Sequence, residues 1–116
     1  MAFDGGCHCG AVTFTVAGDP PGRAMSCNCS HCRRKGFLLA FVPAASLTIT
    51  AGEDALTDYG FNRHAIAHRF CATCGCQPFG QGKRPDGTPT AAVNLRCVPS
   101  IDLDALEIEK VDGARF

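Results

Sequence analysis

Three short groups of cysteine dominate the chemistry open to this sequence: Cys7-x-Cys9, Cys27-x-Cys29-x-x-Cys32 and Cys71-x-x-Cys74-x-Cys76, with Cys97 standing alone. Cysteines one or two residues apart aim several thiolates at one centre, whereas disulfides usually join distant segments. Nine cysteines is an odd number, and Met1-Ala-Phe-Asp-Gly-Gly lacks the charged start and apolar run of an export signal. The spacings therefore read as zinc knuckles in a cytoplasmic protein rather than a secreted disulfide framework.

Cys7-His8-Cys9-Gly10 and Cys71-Ala72-Thr73-Cys74-Gly75 both end in cysteine-glycine. Glycine there lets the backbone turn with positive φ, so that amide N–H groups face the sulfurs. Cys7, Cys9, Cys71 and Cys74 make a closed tetrahedral set with no room for a substrate, a structural zinc. Such a site would clip a long stretch of chain, where a cross-link removes most unfolded-state entropy. The other reading of Cys71–Cys74 is a redox Cys-x-x-Cys, which needs a βαβ context that the sequence does not offer.

Cys27-Asn28-Cys29-Ser30-His31-Cys32 offers three thiolates and no obvious fourth. Three protein ligands leave one position open, the arrangement of a catalytic zinc. A zinc with three thiolates is less negative than one with four and is the better electrophile. Arg33, Arg34 and Lys35 follow at once and are candidates to draw in an anionic substrate, or else form a solvated basic turn. His31 could give a proton, or a hydrogen bond to one of the metal's ligands, while His8 points away from the first centre. Cys97 is a possible fourth ligand that would close the second site. Cys76 is a spare ligand or reactive thiol, and both are otherwise small buried hydrophobes. Phe37 and Phe41 follow closely enough to wall a pocket.

Short strands must position these groups. Val12, Phe14 and Val16 alternate with Thr13 and Thr15 across residues 11–17, a half-buried strand. Residues 37–42 form a continuous apolar run ending at Pro43, which reads as a strand buried on both faces. Residues 46–50, 90–95 and 106–111 read as further strands, and 56–61 and 65–71 as a hairpin across Asn62-Arg63-His64. Residues 80–89 read as a polar loop, and Asp102 is placed to cap one helical turn over 101–106. One mainly β domain over 1–116 with little helix is expected. The 46% hydrophobic share includes the nine cysteines, so the remaining core is small and suits a metal staple.

Eleven basic and eleven acidic residues cancel, and there is one tyrosine and no tryptophan. That argues against nucleic acid, which wants a basic stripe and stacking rings, and against an anionic membrane surface. No apolar run approaches the ~20 residues that span a bilayer. Thiolates carried by the two zinc sites would leave the metallated protein mildly acidic.

Gly-x-Cys-x-Cys-Gly, then Cys-x-Cys-x-x-Cys-Arg-Arg, then Phe-Cys-x-x-Cys-Gly resembles the glutathione-dependent formaldehyde-activating enzyme family, also called the centromere-protein-V family. The resemblance runs from Gly6 to about Gly113, with Val93-Asn94-Leu95-Arg96-Cys97 and Ile101-Asp102-Leu103 similar to the closing segment. It implies a β-tent of antiparallel sheets clipped by a structural zinc at Cys7, Cys9, Cys71 and Cys74. It also implies a catalytic zinc at Cys27, Cys29 and Cys32. The implied reaction is that of a carbon–sulfur lyase, joining glutathione and formaldehyde as S-hydroxymethylglutathione, with glutathione's carboxylates held by Arg33, Arg34 or Lys35. Asn28 stands where histidine is frequent in the motif. Two other classes fit the same framework: a zinc-scaffolded binding module without catalysis, and a β-tent thiol redox enzyme using Cys76 or Cys97.

Overall fold

A computed structural model describes residues 1–60 and 66–115. Its strands are β1 (Ala2–Gly6), β2 (Thr13–Ala17), β3 (Arg23–Cys27), β4 (Leu39–Pro43), β5 (Leu47–Ala51), β6 (Leu56–Tyr59), β7 (Ala67–Cys71), β8 (Phe79–Lys83), β9 (Pro89–Asn94) and β10 (Glu107–Val111). One α-helix, α1 (Ser30–Lys35), and several single 3-10 turns complete it. The fold is mainly β, as expected. One sheet runs β1-β2-β5 and the other β10-β3-β4-β9-β8-β7-β6.

The alternation in β2 does what its pattern demands. Val12, Phe14 and Val16 are buried, and Phe14 meets Phe79 of the larger sheet edge-on at 5.6 Å. Phe3, Leu47, Val93 and Leu95 fill the same space between the sheets. Burying side chains of this size stabilises by about 1.5–3 kcal/mol each, which holds the two sheets together between their cysteine centres.

The hairpin over residues 56–71 is present, with Leu56 opposite Cys71 and Tyr59 opposite His68; its turn at Asn62-Arg63-His64 lies outside the described residues. Asp102 caps a 3-10 turn, Leu103–Ala105, by accepting from the Asp104 amide. Two expectations are overturned. Residues 80–83 are not loop but part of the strand β8 (Phe79–Lys83), paired on both sides by β7 and β9. Its backbone bonds are supplied by neighbours, so Gly80 and Gly82 cost it little in context. β4 is also not buried on both faces: Leu39 is buried, but Phe41 is half exposed. Among the described residues no helix is long and apolar enough to cross a membrane.

Candidate functional site

Cys7 follows β1 and Cys9 lies in the turn before β2, while Cys71 ends β7 and Cys74 lies in the turn beyond it. The fold thus brings the tip of the small sheet against the end of a strand in the large one. The four Sγ atoms lie within 4.8 Å of one another. The Cys7–Cys9 and Cys9–Cys71 sulfur distances are both 3.6 Å. A tetrahedron with ~2.3 Å metal–sulfur bonds has edges of about 3.8 Å, so the donor set fits zinc. Gly10 and Gly75 have φ of 83° and 79°, the left-handed turns anticipated after each knuckle. The Val12 amide donates to Cys7 Sγ at 3.3 Å.

Hydrogen bonding divides the protons among these thiols. Cys74 is lowered to about 5, first by the Cys76 and Cys9 amides. Cys71 is also lowered, chiefly by the Cys74 amide. For Cys9 the Ala11 amide pulls downward, but contact with the Cys7 and Cys71 sulfurs outweighs it and pushes the thiol up to about 12. Backbone amides aimed at sulfur favour the thiolate that a metal requires.

The second group forms where β3 ends and α1 begins. Cys27 is the last residue of β3, Cys29 caps α1, and Cys32 lies in its first turn. Cys29 Sγ accepts from the Cys32 amide at 3.3 Å, so a thiol takes the place of the usual Ser or Asp cap. The Cys29 amide faces Cys27 Sγ at 3.5 Å. The three sulfurs lie within 4.8 Å of one another, and neither Cys76 nor Cys97 belongs to either group. Burial acts to raise the Cys29 thiol, but amide and sulfur hydrogen bonds from Cys32 lower it overall. Burial and contact with Cys29 raise Cys32 strongly.

Residues far along the chain finish this centre. The Asn28 amide N–H donates to Val111 O at 3.1 Å. Its side chain donates to Asp112 Oδ1 at 3.0 Å and accepts from the Ala114 amide at 2.9 Å. Asn28, at the position where the motif often has histidine, is thus a latch onto the segment after β10. β10 itself runs parallel to β3, with Val111 opposite Cys27. Gly113 rests against the sulfur of Cys27, leaving no space for a side chain.

Arg33 lines an open cleft of about 440 Å³ beside Cys27 and Cys32, together with Arg96, Lys110 and Asp112. Arg34 and Lys35 do not line it: Arg34 donates to Ser30 O at 2.8 Å, and the Lys35 ammonium lies 5.8 Å over the Phe70 ring. Arg96 and Lys110 were not singled out in the sequence. Arg96 donates to Gly36 O at 2.7 Å, a contact across sixty positions that no local pattern announces. His31 packs between Phe37 and Tyr59, with its ring 4.2 Å from that of His68. Burial, then the Lys35 charge, lowers its pKa. His68 is 8% exposed and is lowered to about 4, by burial first and then by His31 and Lys35. Gln77 Nε2 donates to its Nδ1 at 3.3 Å, which suits a neutral ring.

A family model for glutathione-dependent formaldehyde-activating enzymes matches residues 2–104. The chain belongs to that family. A crystal structure of a Rhodobacter sphaeroides protein superposes with a TM-score of 0.81 at 31% identity, covering 93% of this chain and 99% of that one. Family membership carries a general glutathione-linked, formaldehyde-activating character, and the two cysteine groups are each able to hold a metal ion. All of β10 and the segment that Asn28 grips lie beyond the matched residues.

Proposed function

We propose that residues 1–116 form one zinc-binding unit that joins or cleaves a carbon–sulfur bond of a glutathione adduct, with S-hydroxymethylglutathione as the parent case. The observation that carries this reading is a group of three thiols, with no fourth metal-binding side chain gathered to it among the described residues, opening on a cationic cleft. Cys27, Cys29 and Cys32 are the catalytic zinc ligands, and Cys7, Cys9, Cys71 and Cys74 hold a structural zinc. Zinc bound by three thiolates supplies Lewis acidity at an open coordination position.

The chain's own groups provide the rest. Arg33, Arg96 and Lys110 match the two carboxylates of glutathione, and Asp112 matches its ammonium. In the forward direction the thiol adds across the aldehyde carbonyl. A sulfur–carbon bond forms, the C=O π bond opens, and the sulfhydryl proton ends on the carbonyl oxygen. No electron acceptor is needed. Cys97 supports this reading over a redox one: burial pushes its thiol up to about 11, which makes it a poor nucleophile at neutral pH.

The test is metal stoichiometry with activity. Cys29→Ser should lose one of two zinc equivalents and all glutathione–formaldehyde adduct formation, while the other equivalent stays. Retention of both metals in that variant refutes the assignment.

A further inference from the structure

The three-cysteine centre has a second neighbour that formaldehyde chemistry leaves unused. A cavity of about 260 Å³, more enclosed than the cationic cleft, shares Cys27, Cys32, Phe37 and Val111 with it and has Cys29 in its wall. The rest of the lining is almost all carbon, from Met25, Leu39, Phe41, Ile66 and Ala92. Gln77 and His68, hydrogen-bonded to each other, also line it.

Volume and chemistry both argue against a one-carbon occupant. One water takes up ~30 Å³ of liquid, and an apolar cavity of ~150 Å³ already admits benzene. Formaldehyde, usually hydrated and polar, would gain little from such a wall. An alkyl or aryl group would gain the full benefit of leaving water. Buried Leu39 and half-exposed Phe41, on the same face of β4, both line this cavity.

The geometry points to a thiol adduct whose carbon partner is larger than one carbon: a hemithioacetal of glutathione with an aliphatic or aromatic aldehyde, its hydrocarbon group seated in this cavity. The inference rests on the glutathione reading above. The covalent step is unchanged: sulfur–carbon bond formation or cleavage, with the proton moving between sulfur and the carbonyl oxygen.

Stable thioethers isolate the binding question from turnover. Calorimetry on the zinc-loaded protein compares S-methylglutathione, S-hexylglutathione and 1-hexanethiol. Each buried methylene is worth about fourfold in affinity (~0.8 kcal/mol), so burying only two of the added ones makes S-hexylglutathione at least tenfold tighter. Ala92→Phe, or the milder Ala92→Leu, fills the cavity and should abolish that preference while leaving S-methylglutathione binding as it was. Equal binding of the two conjugates by the wild-type protein overturns the inference but leaves the glutathione reading standing. So does a hexyl preference that survives in a folded Ala92 variant. Ala92-dependent binding of 1-hexanethiol without binding of either conjugate upholds the apolar site and removes glutathione as the thiol. If none of the three probes binds, both fall.

Discussion

Removing the clip between the two sheets should cost far more stability than opening the second centre. Cys9 is exposed and Cys74 partly buried, so Cys9→Ala/Cys74→Ala removes two donors while leaving the buried Cys7 and Cys71 in the packing. Two remaining thiols are too few to hold zinc in a tetrahedral site. The lost link joins positions 62 apart, and the loop-entropy relation for a cross-link of that span gives about 4 kcal/mol. In the second group Cys27 and Cys32 are only five positions apart. The ratio of spans alone makes the first link worth about 2 kcal/mol more, from 1.5RT ln(62/5). A domain with ~5–15 kcal/mol in total should lose a large share of its stability at the first site and little at the second. Urea unfolding with saturating zinc, comparing wild type, the double variant and Cys29→Ser, measures this. A double variant that loses no more than Cys29→Ser refutes the argument that the four-cysteine centre is a long-range staple.

Gly113→Ala drives a methyl group into Cys27 Sγ; zinc retention at the second centre should weaken at least tenfold in a chelator competition, with the first centre unaffected. Arg33→Ala should raise KM for glutathione about fivefold, on the scale of ~1 kcal/mol for an exposed charge, and Arg34→Ala should not, as steady-state kinetics will show. His68 is held neutral with its pKa lowered to about 4. Its contribution is complete above the unfolded value near 6.5 and is lost as pH falls toward 4, because the unfolded chain then takes up a proton that the fold refuses. Between pH 7.5 and 5.5 the wild type should therefore lose about 1.4 kcal/mol more stability than His68→Gln in matched urea melts.

Much of this arrangement is legible in local spacing. The alternation of Val12, Phe14 and Val16, the two cysteine-glycine turns and the grouping of seven cysteines each depend on neighbours in sequence, and each appears as expected. What escapes local reading is supplied from a distance. β8 has glycine at alternate positions and no β-branched residue, and is a strand because β7 and β9 flank it. α1 spans under two turns, too short for periodicity, and its cap is a sulfur. Arg96 in the 3-10 turn after β9 and Lys110 in β10 reach the cleft only through pairing of distant strands. Asn28 is a departure from the motif, but its partners Asp112 and Ala114 lie more than eighty positions away.

The parallel pairing of β10 with β3 has a consequence in time. All four ligands of the first centre have been synthesised once residue 74 is added, yet the second still lacks Val111 and Gly113 against Cys27. Gly113 is added 39 positions after Cys74, so at ~5–20 residues per second it follows roughly 2–8 s behind. The four ligands of the first group therefore leave the ribosome before the residues that wall Cys27. Synthesis thus delivers the four-cysteine group complete before the wall of the three-cysteine group.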